Sequence, residues 1–120
     1  MFGYFLVFLG GGLGSMCRYG IAHVMSYYQI TFPIATFLAN VLSCFVLGLM
    51  VGLNLKTGIN PAYKWLVMTG FCGGFSTFST FTNETYLLLQ SGQYSYVLAN
   101  IIGSLLICLV FIYLGIKVAG

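Results

Sequence analysis

The sequence has almost no charge. Glu84 is its only acid, and Arg18, Lys56, Lys64 and Lys117 are its only lysines and arginines, so 4% of the 120 residues are charged. An ordinary soluble domain carries about 25%. One acid and four bases cannot keep a chain that is 60% hydrophobic in water, and the solvent that suits it is lipid. Other absences exclude other classes. There is no basic run, which argues against a nucleic-acid partner. The cysteines Cys17, Cys44, Cys72 and Cys108 stand singly in apolar stretches, with no CxxC or Cys/His spacing. They read as small packing residues rather than as a metal cluster. No nucleophile–base pair is visible, so the chain is not expected to be an enzyme. The N-terminal stretch lacks a basic region and no polar mature domain follows, so the expectation is that it stays in the membrane rather than being cleaved as a signal peptide. The polar/apolar alternation of a membrane β-barrel is missing as well.

What is present are four long apolar segments, at about Phe2–Tyr28, Pro33–Leu55, Pro61–Leu89 and Tyr94–Val118. A helix needs about 20 residues to cross the hydrocarbon, and each segment is long enough. The expected architecture is therefore all-α, with residues 1–120 forming a single four-helix transmembrane domain. The connections are short. Pro33 suits a first helical turn, and Asn60 can cap a helix that begins at Pro61. Tyr27, Tyr28, Tyr63, Trp65, Tyr94, Tyr96 and Tyr113 lie near segment ends, where an amphipathic ring sits at headgroup level. Gly10 and Gly14, Gly48 and Gly52, and Gly70 and Gly74 have the GxxxG spacing that lets helix backbones approach closely in lipid. Lys56, Lys64 and Lys117 fall toward the side of the termini, which leans to termini inside.

The third segment carries the chemistry. Gly73-Gly74 is followed by Phe75-Ser76-Thr77-Phe78-Ser79-Thr80-Phe81-Thr82-Asn83-Glu84. Paired glycines are a common site of helix breaks, so a break near Gly73-Gly74 is expected. The carbonyls and amides it frees must be satisfied by protein, water or an ion. On a continuous helical wheel Phe75, Phe78 and Phe81 share a side with Thr82 and Thr85, while Ser76, Ser79, Thr80, Asn83 and Glu84 fall opposite. An aromatic ladder alone reads as packing, and hydroxyls alone read as back-bonding to the preceding turn. Together, beside the glycines, they suggest an ion path. Cations go to ring faces and anions to ring edges. Asn40 with Ser43, and Asn100 with Ser104, add donors suited to a desolvated anion. Arg18 lies about 24 Å along the first helix, where it either snorkels or forms a positive vestibule. Glu84 would be the proton carrier of a coupled transporter, or the polar end of the hydroxyl track.

Gly70-Phe71-Cys72-Gly73-Gly74-Phe75-Ser76-Thr77-Phe78-Ser79-Thr80-Phe81 closely resembles the signature of the CrcB/Fluc family of fluoride channels. Gly10-Gly11-Gly12-Leu13-Gly14-Ser15-Met16-Cys17-Arg18-Tyr19, Ala39-Asn40 and Gly103-Ser104 are similar to that family's other motifs, so the resemblance covers essentially the whole chain. It implies an antiparallel, dual-topology dimer in the cell membrane, with two pores that passively export fluoride from the cytoplasm and so lower its toxicity. The partner is either an identical chain or a paralogue of fixed orientation. By the same resemblance Phe78 and Phe81 would present ring edges to fluoride and Asn40 would donate to it. Thr80, Ser104 and Glu84 would form a polar track, with Arg18 near the entrance. The backbone carbonyls of Gly73 and Ser76 would hold a structural sodium ion between subunits. Phe75 stands where the family often has leucine, and Ser76 where it often has threonine. Two other readings remain: a small proton-coupled multidrug transporter using Glu84, and a noncatalytic subunit whose polar residues only join helices.

Overall fold

The computed structural model describes all residues, 1–120, and is entirely helical. Helix α1 spans Phe2–Met25 and α2 spans Ile34–Lys56. The third span is in two pieces, α3 over residues 61–75 and α4 over Ser79–Gln90. Helix α5, Tyr94–Ala119, completes the chain. Helices α1, α2 and α5 are each long and apolar enough to cross a membrane. Neither piece of the third span crosses alone. The chain is a multi-pass membrane protein.

Local chemistry explains the ends. The side chain of Asn60 accepts the Ala62 N–H at 2.9 Å, with Pro61 in the first helical position, where its missing N–H costs nothing. Gly58 and Gly92 have φ of +74° and +77°, in the left-handed region that glycine enters without steric cost. They turn the chain after α2 and α4. Within α3 the stretch Lys64–Cys72 winds as a wide π-helix before a last α-helical turn at Gly73–Phe75.

The core is inside-out by the standard of a soluble domain. Only 15 of 120 residues are buried, and Thr36, Ser43, Asn100 and Ser104 are among them. Large apolar side chains on α1 and α5 face outward instead, including Phe8, Leu105 and Leu109. Lipid is as apolar as leucine, so helices in it gain little by hiding leucine from it. They associate through close backbone contact and hydrogen bonds. Both are seen. A Cβ on Gly10 or Gly14 would strike the backbone of α3 at Leu66 and Phe71, and one on Gly74 would strike the carbonyl of Gly11. Gly48 lies against Ile112, and Gly52 against Ile116, so α2 and α5 run side by side in parallel. All three GxxxG pairs of the sequence are thus spent on two tight seams, α1 with α3 and α2 with α5.

Candidate functional site

The helix is not interrupted at the glycine pair itself. Gly73 and Gly74 are helical, and the chain leaves the helix at Ser76 (φ −83°, ψ 157°), returning to it at Ser79. Glycine's role here is close approach: α1 can reach Gly74 because no side chain intervenes. The non-helical stretch Ser76–Phe78 and the helix end before it are held by side chains from two other helices. Asn40 of α2 grips Thr77 at both backbone groups. Its Oδ1 accepts the Thr77 N–H at 2.8 Å, and its Nδ2 donates to the Thr77 carbonyl at 3.3 Å. Ser43, one turn along α2, donates to the Cys72 carbonyl at 3.0 Å, and Ser76 donates to the same oxygen at 2.8 Å. From the other side Nε of Arg18 donates to the Gly74 carbonyl at 3.1 Å. Such partners are what non-helical backbone at membrane depth requires.

Some backbone groups of this stretch have no protein partner. The carbonyls of Gly73, Phe75 and Ser76 accept no hydrogen bond, and the amides of Phe78, Ser79 and Phe81 donate none. The amides lie at the start of α4, where the helix dipole adds positive potential.

Beside the break lies a groove of about 420 Å³, lined by Asn40, Ser76, Thr77, Phe78, Phe81 and Ser104, with Cys44, Ile101, Leu105 and Cys108. The rings of Phe78 and Phe81 stand 6.0 Å apart with planes at 36°. A hydrogen-bonded chain runs behind Phe81. Thr85 donates to the Phe81 carbonyl at 2.8 Å, Asn100 donates to Thr85 Oγ1 at 2.9 Å, and Ser104 donates to Asn100 Oδ1 at 3.3 Å. Asn100 is 1% exposed, the most deeply buried large side chain in the protein.

The structure brings Asn40, Phe78, Phe81 and Ser104 to one groove and places the remaining pathway candidates elsewhere. Thr80 does not line the groove; its backbone N–H, in the first turn of α4, donates to Thr77 Oγ1 at 3.2 Å. Arg18 is engaged through Nε with the Gly74 carbonyl on the α1 side of the break. Glu84 lines a separate cleft of about 280 Å³ with Thr31, Phe32, Pro33 and Ser91, and its Oε1 is buried without a hydrogen-bond partner. The aromatic ladder of the wheel also divides. Phe75 is buried and packs on Phe71 at 5.3 Å, whereas Phe78 is 79% exposed. A wheel assumes one continuous helix, and the break at Ser76 resets its phase between Phe75 and Phe78. Thr85 follows Phe81 by one turn of the same helix, as the wheel has it, and its hydroxyl is nonetheless a polar partner of α5 through Asn100. Thr77 escaped the sequence reading because its part is played by its backbone. The signal pointing to it was an asparagine in an apolar helix, whose amide needs a matching pair of partners.

Comparison with known proteins agrees across the length of the chain. The family described as CrcB-like protein, Camphor Resistance (CrcB), matches residues 5–116. A protein of Prosthecochloris aestuarii named fluoride-specific ion channel FluC is 44% identical over 115 residues, covering 95% of this chain and 90% of that protein. Proteins of the same name from Pyrococcus abyssi (40% over 116 residues, 95% and 93% covered) and Flavobacterium psychrophilum (47% over 91 residues, 74% and 73% covered) are similar too. With its broken third span, its groove and this match over nearly all its residues, the chain belongs to the CrcB family of membrane proteins.

Proposed function

We propose that the chain is a subunit of a fluoride-selective channel that exports fluoride passively across the cell membrane, and that it is not an enzyme. The observation that carries the reading is the groove at the helix break, where two phenylalanine rings meet the amide of Asn40 and the hydroxyl of Ser104. Fluoride is small and strongly hydrated. Moving it through lipid requires donors that replace its water without holding it fast. Ring edges are weakly positive, and the second N–H of the Asn40 amide, which Thr77 does not take, donates more strongly; the Ser104 hydroxyl gives its hydrogen to Asn100 and adds a polar wall rather than a free donor. The undonated amides at the start of α4 add to the same potential. The ion needs no coupled energy source. HF enters as a neutral acid and ionises inside, and each outgoing charge gains about 2.3 kcal/mol per 100 mV of membrane potential.

The functional unit of this reading is an antiparallel dimer, with an identical chain or a paralogue as the partner. Phe78 is 79% exposed on the single subunit, which favours a partner surface there. The carbonyls of Gly73 and Ser76 fit a structural sodium ion, because they are hard oxygen donors that accept no hydrogen bond. Gly73 is exposed, so its backbone is open to approach by a second subunit. Two carbonyls from each subunit would surround the ion. Its chemistry there is to neutralise oxygen dipoles that two subunits bring together.

The test is fluoride efflux from liposomes holding the purified protein, with valinomycin and potassium to balance charge and chloride as the control anion. Rapid fluoride release without chloride release is expected; no release from well-folded homodimer or paralogue pair overturns the proposal. The coupled-transporter reading draws on Glu84, whose Oε1 is buried without a hydrogen-bond partner. In that case Glu84→Gln abolishes transport, whereas a passive fluoride pore keeps at least part of its flux.

A further inference from the structure

The parallel seam of α2 and α5 places side chains as well as glycines opposite one another. Gly52 meets Ile116 and, four residues earlier on both helices, Gly48 meets Ile112. Four residues earlier again the same register pairs Cys44 with Cys108, and one turn further Asn40 with Ser104. Both pairs line the groove at the helix break. Cys44 and Cys108 are free thiols, half-buried, and each is the other's polar neighbour. The seam closes beyond them, where Phe45 packs on Phe111 at 6.2 Å and Gly115 lies under the Phe45 carbonyl. The two thiols therefore form the floor at one end of the groove, a turn away from its Asn40/Ser104 polar pair.

Two thiols paired across one helix seam and opening on one groove are a candidate ligand set. No third histidine, cysteine or carboxylate stands near enough to complete a larger one. That excludes zinc, which wants four ligands in a tetrahedron, and favours soft cations satisfied by two sulfurs in line. Charge narrows the choice further. Thiols bind metal as thiolates and release their protons. Two thiolates around a monovalent ion leave a net negative charge at membrane depth, which is costly. Around a divalent ion they leave none.

We propose that Cys44 and Cys108 form a two-thiolate site for one soft divalent cation of the mercuric type, and that the bound ion plugs the groove. Two S–H bonds break, two sulfur–metal bonds form and two protons leave to water, with no change of oxidation state. The chelation is independent of the fluoride reading; the plugging rests on it. Mercuric chloride serves as the probe, on full-length protein kept reduced with a phosphine and carrying Cys17→Ser to remove the exposed thiol of α1. After one equivalent per chain, native mass spectrometry is expected to find one mercury per chain, and maleimide mapping to find Cys44 and Cys108 protected together while Cys72 keeps its reactivity on unfolding. Chelation gives the second thiol a high effective concentration. Cys44→Ser and Cys108→Ser should therefore surrender the metal at roughly 100-fold lower monothiol competitor, and Cys44→Ala and Cys108→Ala should do the same if a serine variant fails to fold. Equal retention by parent and single variants, or protection of Cys72 instead, overturns the site. Fluoride efflux from the same preparations should stop on metal binding and return with a dithiol chelator. Metal retained with undiminished efflux overturns the plugging, and a protein with no efflux before metal is added counts against the fluoride reading and leaves the thiol readouts standing.

Discussion

The two halves of the third span are held in different ways. Helix α3 lies backbone to backbone against α1, through Gly10 and Gly14 on one side and Gly70 and Gly74 on the other. Helix α4 has no such seam. It is tied to α5 by the Thr85–Asn100 hydrogen bond and to α2 through Asn40 at the stretch that precedes it. Close packing resists any added volume, because there is nowhere for a methyl group to go. Hydrogen bonds between helices fix direction at small individual cost, about 0.6 kcal/mol on average in membranes. The groove forms where one kind of support gives way to the other, with exposed Phe78 just beyond the buried Phe75.

The sharpest way to break this contrast is to add a side chain to the packed half. Gly14→Val drives Cβ into the Phe71 carbonyl and the Phe75 amide, and should abolish recovery of monodisperse protein in detergent. Gly20→Ala, with nothing within 4 Å of the added carbon, should be recovered as the parent is. The next effect separates the two phenylalanines. Phe75→Ala should cost about 3–5 kcal/mol in a reversible unfolding measurement, as other buried phenylalanine truncations do. Phe78→Ala should leave stability within about 0.5 kcal/mol on the isolated subunit and lower fluoride efflux at least tenfold by the proposed role. Equal destabilisation by both would mean that the break does not divide the ladder. Asn40→Leu removes two hydrogen bonds from the Thr77 backbone and should cost about 1–3 kcal/mol, with efflux falling alongside. Asn40→Ser, which retains a single short donor, should recover less than half of either loss. The smallest effect belongs to Asn100→Ala. It opens the Ser104–Asn100–Thr85 chain and should cost around 1 kcal/mol in thermal unfolding, so a loss of several kcal/mol would show that α4 is held more by hydrogen bonds than the contrast allows.

Much of the molecule was legible before any coordinates. The four apolar segments, the Asn60 cap ahead of Pro61 and the pairing of small residues all follow from hydropathy, proline chemistry and spacing, which act locally. The groove was partly legible. Asn40, Phe78, Phe81 and Ser104 stand out as polar or aromatic residues out of place, and they do converge. Arg18, Thr80 and Glu84 stand out just as clearly in sequence, yet each has a different neighbourhood. An unusual residue announces that it needs a partner without saying which one.

What the sequence determined by itself is the solvent and the element list. So little charge and so many apolar runs of spanning length admit only a helical membrane protein, because unpaired backbone cannot face lipid. What only the tertiary structure decided is phase. The non-helical stretch Ser76–Phe78, extended at Ser76, interrupts the helical repeat, so residues after it point where Asn40 and the α4–α5 contact direct them, not where a wheel drawn from Gly73 would. Backbone angles at three residues, stabilised by an asparagine 37 positions earlier in the chain, are a property of packing that no local pattern encodes.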